Sequence, residues 1–173
     1  MMKKGLNTNL LFLAFFMSAF CVSVKAQTPT DSFPKDPGGI SIYTIQNLNF
    51  GVFSRGNNGG TISVSSTGAR TATGDLIPLS LGIQFFYAIF DVESPPGNII
   101  SLLNGPPAIL NGTNGGTITL TIGASDPTSP FINFATPPNR TQVNVGGTLV
   151  VGSLASAPPG IYSGLFYITF SQE

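Results

Sequence analysis

The chain has 173 residues, of which 42% are hydrophobic and 8% are charged, and its formal net charge is zero. It contains no histidine, no tryptophan and one cysteine, Cys21. Zinc, copper and haem sites need imidazole or thiolate ligands, and a serine nucleophile needs a neighbouring base, so this composition argues against most catalytic and metal chemistry. So few basic residues cannot neutralise a phosphate backbone, and we expect no nucleic-acid partner.

Residues 1–26 have the pattern of a signal peptide. Two lysines precede an apolar stretch over residues 10–24, and Val24-Lys25-Ala26 offers residues that signal peptidase accepts at its cleavage site. The apolar stretch is about 15 residues long, shorter than the ~20 residues of a membrane-spanning helix. We therefore predict cleavage after Ala26, with no membrane span in the mature chain. The exported protein would be extracellular, on the cell surface or in the periplasm.

A retained membrane helix and a lipid anchor on Cys21 are the alternatives. A lipid anchor needs a small residue before the cysteine, and Phe20 occupies that position. Removing 26 of 173 residues leaves 147, the size of one domain, with four basic and seven acidic residues and a formal charge of −3. Net charge keeps soluble proteins apart in solution. The small number of charged residues in this chain is therefore typical of a protein in an assembly or on a surface.

Residues 27–39 are rich in proline and glycine, and we predict a flexible tail here. Pro29, Pro34 and Pro37 cannot donate backbone hydrogen bonds, and Phe33 is the only bulky apolar residue in the segment. The tail is therefore a poor candidate for a strand donated to a neighbouring subunit. We expect the folded domain, residues 40–173, to be complete within one chain.

From Ile40 onward the sequence consists of short runs rich in β-branched and aromatic residues, bounded by Gly, Pro and Asn. No window has a helical period. The predicted strands are Ser41–Phe53, Thr61–Val64, Gly74–Leu79, Phe85–Val92, Ile99–Leu102, Thr117–Ile122, Gln142–Val145, Thr148–Val151 and Ile161–Phe170. This number of short strands predicts an all-β protein, a single immunoglobulin-like antiparallel β-sandwich.

The last predicted strand has the clearest alternation. It places Phe166, Ile168 and Phe170 on one face, which we assign to the core, and Leu165, Tyr167 and Thr169 on the other. Tyr162 stands at the strand entrance after a glycine turn, as in the tyrosine corner of immunoglobulin-type sandwiches. We predict that its hydroxyl binds upstream backbone.

Five sequence blocks resemble an exported bacterial family called domain of unknown function 4402. The blocks are Leu48–Phe53, Gly59–Val64, Arg70–Gly74, Val145–Leu149 and Gly160–Gly164. That family is similar to spore-coat-U and pilin-like β-sandwich proteins. The resemblance therefore implies a structural role at the cell surface, and it implies no catalytic residues.

The middle strand, Phe85–Val92, is apolar on both faces. Phe85, Tyr87 and Ile89 alternate with Phe86, Ala88, Phe90 and Val92. An antiparallel strand in a sandwich normally exposes one face to water, so one set needs a cover, either from the chain itself or from a partner. We expect residues 126–134 to supply it.

No residue is assigned a catalytic, cofactor-binding or metal-binding role, and no cofactor is expected. Asp91 and Glu93 lie two apart on a strand, a spacing that overlaps a glycosidase pair, but we interpret them as solvated charges at a strand end. Gly56–Gly60 is similar to a phosphate-binding loop, but neither lysine nor a helix follows it, so we predict a hairpin turn.

The sequence thus predicts an exported, non-catalytic structural or adhesive protein of the bacterial cell exterior, pilin-like or coat-like. It would act by self-association, by another protein contact or by glycan binding, through sheet edges or the Phe85/Tyr87 face. The alternative is a soluble secreted binding module whose aromatic sheet face holds a glycan or a small apolar ligand.

Overall fold

A computed structural model describes residues 39–173, which form eleven β-strands and no helix. The strands are β1 (Ser41–Gln46), β2 (Val52–Val64), β3 (Arg70–Leu79), β4 (Ala88–Glu93), β5 (Ile99–Asn104), β6 (Ala108–Gly112), β7 (Thr117–Asp126), β8 (Phe131–Ile132), β9 (Thr141–Val151), β10 (Tyr162–Ser163) and β11 (Ile168–Gln172). Within this part of the chain there is accordingly no helix able to cross a membrane. The predicted signal peptide and all but the last residue of the predicted tail lie outside the described residues.

The strands form two antiparallel sheets, which confirms the all-β, sandwich-type prediction. The large sheet has eight strands in the order β1-β4-β9-β7-β6-β10, with β2 also paired to β9 and β3 paired to β2. The small sheet has the order β11-β5-β8. The chain enters the small sheet at β5, returns at β8 and ends there with β11.

Strand β9 is the centre of the large sheet because three other strands pair with it. Its first half pairs with β4, through Thr141–Val145, and its second half pairs with β2, through Gly147–Val151. Strand β7 pairs with both halves along the opposite edge, with a register shift between Ile122 and Ser125. The prediction of two separate strands in this region was therefore wrong, since one strand changes partner midway.

Gly146 lies where β9 changes partner, and the space beside it is occupied by backbone. A Cβ atom at this position would stand 2.4 Å from the Val64 carbonyl oxygen and 2.8 Å from the Ser66 nitrogen. Only glycine allows the end of β2 to approach this closely, so the residue type fixes the packing of β2 beside β9.

The core lies between the two sheets and draws on both. The side chains of Ile62, Val92 and Val143 in the large sheet and Ile100 in the small sheet are completely buried. Phe90 of β4 meets Phe170 of β11 edge to face, with ring centroids 5.6 Å apart and an interplanar angle of 61°. Such a contact adds about 0.5–1.5 kcal/mol beyond the area that it buries.

The alternation predicted for the end of the chain is confirmed. Phe166, Ile168 and Phe170 pack against the core, whereas Leu165 and Tyr167 are 78% and 70% exposed. The prediction of one continuous strand was wrong, because Tyr162–Ser163 pairs with β6 in the large sheet and Ile168–Gln172 pairs with β5 in the small one.

One further strand prediction and one turn prediction were wrong, both at glycines that change the path of the backbone. The run Ser41–Phe53 is broken before β2 by Gly51, whose φ is +67° and whose N–H donates to the Asn49 side chain at 2.8 Å. Gly56–Gly60 is not a hairpin turn but an irregular part of β2, with a register shift between Arg55 and Gly60. Strand β6 was not predicted, and it pairs with β7.

The inner face of β4 is covered by the small sheet, through the contact of Phe90 with Phe170. The segment predicted as the cover contributes its Phe131–Ile132 portion as the edge strand β8 of that sheet. Its completely buried Asn133 donates to the Ser94 carbonyl at 2.6 Å and accepts from the Thr141 hydroxyl at 2.6 Å. These bonds hold the segment to the end of β4 and the start of β9.

The Tyr162 hydroxyl donates to the Pro158 carbonyl at 2.5 Å, which confirms the predicted bond to upstream backbone. The ring lies against Gly112, where a Cβ atom would stand 2.7 Å from the tyrosine Cε1 atom. Tyrosine and glycine together therefore join β10 to the end of β6.

Replacing Tyr162 by Phe should lower the free energy of unfolding by about 1 kcal/mol, because the ring stays packed and only the hydrogen bond is lost. Denaturant titration measures the change. Tyr167→Phe is the control, since Tyr167 is 70% exposed and its hydroxyl has no partner within residues 39–173, and it should leave the midpoint unchanged. Equal midpoints for all three proteins would contradict a structural role for the Tyr162 hydroxyl.

Gly146→Ala should lower the free energy of unfolding by about 3 kcal/mol, because the added methyl group collides with backbone rather than with a movable side chain. Gly82→Ala is the control: φ is +82° there but no atom lies within 4 Å of the added carbon, so only a conformational cost of about 1 kcal/mol applies. The same denaturant titration compares the two, and equal losses would contradict the importance of the close approach at Gly146.

Candidate functional site

The segment between β3 and β4 forms one wall of an open pocket of about 410 Å³. After β3 the chain turns through Gly82, whose φ is +82°. It is then held by a bridge in which Phe86 N–H donates to the Asn49 carbonyl at 2.7 Å and Asn49 N–H donates to the Phe86 carbonyl at 2.8 Å. The residues that line this space, called here the Arg70 pocket, are Arg70, Leu79, Ser80, Gly82, Ile83, Gln84 and Phe85.

The guanidinium group of Arg70 is the only charged group in the pocket lining. Its Nη2 donates to the Val52 carbonyl at 2.5 Å, and its Nε is buried without a hydrogen-bond partner. The group lies 5.3 Å from the centroid of the Phe85 ring, in a cation–π contact. Burial lowers the pKa of Arg70, because removal from water disfavours the charged form.

No carboxylate within residues 39–173 neutralises Arg70. The ion pair in this part of the chain joins Arg140 Nε to Glu93 Oε2 at 3.4 Å. Arg55 donates instead to the Gly152 carbonyl at 2.9 Å. Within the described residues, the partly buried charge of Arg70 is therefore compensated by a carbonyl dipole and an aromatic ring and by no carboxylate.

Exposed apolar side chains are frequent on β3 and on the segment that follows it. Leu81 is 68% exposed, Ile83 is 59% exposed and Phe86 is 40% exposed, and Ile77 of β3 is 62% exposed. Tyr87, by contrast, packs against the core, so the predicted Phe85/Tyr87 face does not exist as one exposed aromatic surface. Phe85 alone contributes an aromatic ring to the pocket.

A second surface is the outer side of the small sheet, whose strands β5, β8 and β11 contain no charged residue. Ile99 and Ile132 are opposite each other in register, and Leu103 is opposite Thr169. We call this surface the apolar outer face. Its large exposed side chains are Ile99, Leu103, Ile132, Phe134, Leu165 and Tyr167.

The outer side of the large sheet has a different character. Rows of hydroxyl groups cross its strands, because Thr71, Ser63, Thr148 and Thr121 follow one another in register across β3, β2, β9 and β7. Ser63 and Thr148 share a hydrogen bond of 2.8 Å, and Thr61 and Thr73 share one of 2.6 Å. The two sheets therefore present one hydroxyl-covered face and one apolar face.

The interpretation of Glu93 as a solvated charge was wrong. It is only 7% exposed, it pairs with Arg140, and it accepts a hydrogen bond from the Tyr43 hydroxyl at 3.4 Å. The Arg140 guanidinium in turn lies 3.6 Å from the centroid of the Tyr43 ring. Glu93 therefore belongs to a structural cluster at the edge of β1 and β4.

The sequence did not indicate Arg70 as a candidate binding residue or Leu103 as part of an exposed apolar surface. The only signal for Arg70 was that it is one of three basic residues after the tail, and nothing in its neighbours along the chain showed that it lacks a carboxylate partner. Within the described residues there is no group of three or more acidic, histidine or cysteine side chains placed to hold a metal ion.

No curated protein and no solved structure matches this chain significantly. Residues 40–171, which include all of β1 to β10 and all but the last residue of β11, match the family described as domain of unknown function DUF4402. The sequence resemblance to that family is thereby confirmed, and the chain belongs to the DUF4402 family.

Proposed function

We propose that this protein is an exported, non-catalytic structural or adhesive component of the bacterial cell exterior, pilin-like or coat-like, which acts through protein–protein contact. The signal peptide predicted from the sequence of residues 1–26 supports the location. The absence of His, Cys and Lys from residues 39–173 supports a non-catalytic role, because nucleophiles there have no basic partner.

The observation that carries the proposal is the apolar outer face of the small sheet. Leu103, Leu165 and Tyr167 are each at least 70% exposed, and they lie on strands and a strand entrance without a charged residue. Contiguous exposed apolar surface on a soluble domain marks an interaction site, because its exposure to water is unfavourable. We infer that a second copy of this chain covers the face, since both partners then remove apolar surface from water.

The alternative is a soluble secreted binding module for a glycan or a small apolar ligand. The Arg70 pocket favours this alternative, because its volume of about 410 Å³ lies within the range of small-molecule sites. The two functions use different surfaces and are compatible in one protein.

Leu103→Lys should weaken self-association of the mature protein about tenfold or more, because it places a charge in an apolar contact. Sedimentation equilibrium over a range of concentrations measures the dissociation constant. Thr121→Lys, an exposed substitution in the hydroxyl rows of the large sheet, is the control and should associate like the unmodified protein. A protein that stays monomeric at high concentration, or two variants with equal association, would contradict assembly through this face.

A chain that begins at Ile40 should fold with the same stability as one that begins at Gln27 and should associate equally. The reason is that Ile40 packs against the core and β1 begins directly after it, so the strands are retained. Thermal unfolding and sedimentation compare the two chains. If the shorter chain were unstable and a peptide of residues 27–39 restored it, strand donation by the tail would replace face-to-face association.

A further inference from the structure

We propose that the Arg70 pocket binds the carboxylate of an acidic sugar, a uronic acid unit of a surface glycan. The inference rests on the proposed adhesive role and names a ligand for it. The Arg70 pocket is separate from the apolar outer face. Sugar binding and self-association can therefore be tested, and can fail, independently.

The electrostatic state of Arg70 provides the first argument. A guanidinium group has five N–H donors, and within residues 39–173 this one makes a single hydrogen bond, from Nη2 to the Val52 carbonyl. The charge is partly removed from water and has no anionic partner there. A ligand carboxylate would provide charge-assisted hydrogen bonds in the planar geometry that arginine favours.

Access to the guanidinium depends on Gly51. A Cβ atom there would stand 3.4 Å from Arg70 Nη1 and 3.3 Å from the Ile83 carbonyl oxygen. With glycine at this position, directly before β2, no side chain from residue 51 blocks Nη1. Nη1 is also the guanidinium nitrogen that is neither bonded to Val52 nor buried, which leaves it available to a ligand.

The charge of the pocket selects among anions. It contains one cation and no second basic residue, and the mature chain is acidic with a formal charge of −3. A phosphate monoester carries nearly two charges, and its binding sites usually combine several donors or cations. A single guanidinium matches the single charge of a carboxylate.

The remaining walls fit a sugar ring. Phe85 offers an aromatic surface to the C–H face of a pyranose, and the Ser80 hydroxyl and the Gln84 amide are polar groups in the same lining. Both are hydrogen-bonding groups that can act as donors and acceptors, as sugar hydroxyls require. A fatty acid would leave these two groups without a role.

The test is calorimetric titration of the mature protein with trigalacturonic acid and with its methyl ester, which has the same shape but no charge. The acid should bind about tenfold more tightly than the ester, because only the acid pairs with Arg70. In NMR spectra of the protein, the amide signals of residues 79–85 should shift on addition of the acid. Equal binding of acid and ester, no binding at millimolar concentration, or shifts confined to other residues would overturn the proposal.

Arg70→Gln should abolish the preference for the acid, and Arg70→Lys should retain part of it, because lysine keeps the charge but not the planar pair of donors. Arg55→Gln is the matched control, since Arg55 also donates one hydrogen bond to a backbone carbonyl and also has a buried nitrogen without a partner. It should bind the acid like the unmodified protein, and a loss equal to that of Arg70→Gln would overturn the assignment.

Three further measurements test the assignment independently of Arg70→Gln. If Arg70→Gln does not fold, Phe85→Leu replaces it and should weaken binding of the acid about tenfold by removing the aromatic surface. Hexanoate, titrated in parallel, tests the competing ligand class, and tighter binding of hexanoate than of trigalacturonic acid would overturn the sugar assignment. Leu103→Lys should retain acid binding whether or not the protein self-associates.

Discussion

The large sheet depends on one steric requirement, which is that Gly146 carries no side chain. Strand β9 pairs along one edge with β4 and then with β2, and the change occurs beside a backbone oxygen only 2.4 Å from where a Cβ atom would stand. The opposite edge adapts through the register shift in β7. With β2 and β4 sharing one edge, Ile62 and Val143 enter the same core, which the small sheet closes through Phe170.

The same arrangement positions the candidate site. Strand β3 pairs with β2, which lies beside the second half of β9, whereas β4 lies beside the first half of β9. The chain between β3 and β4 therefore connects the two halves of this edge. It does so past Gly51, and the bridge between Asn49 and Phe86 fixes its return. The space left between this connection and the start of β3 contains the Arg70 guanidinium. The pocket is therefore a product of the strand order.

The sequence predicted those features that depend on nearest neighbours along the chain. Phe166, Ile168 and Phe170 could be assigned to the core because one face of a strand meets water, and Tyr162 could be recognised because its partner Pro158 is four residues away. The partner change in β9 could not be predicted, since it depends on contact between Gly146 and Val64, which are far apart in the sequence. That no carboxylate within residues 39–173 pairs with Arg70 depends likewise on the three-dimensional positions of the acidic residues. Family membership assigns no role to any residue, because the family is of unknown function.

Every basic side chain in residues 39–173 is an arginine, and each is tied to a neighbouring part of the chain: Arg55 to Gly152, Arg70 to Val52 and Arg140 to Glu93. Trypsin-like proteases cut after lysine or arginine, and they attack exposed, mobile loop tips most readily. This domain offers them three peptide bonds, one inside β2, one at the start of β3 and one directly before β9. Because all three arginines lie in strands or directly beside one, we expect the folded domain to resist tryptic digestion.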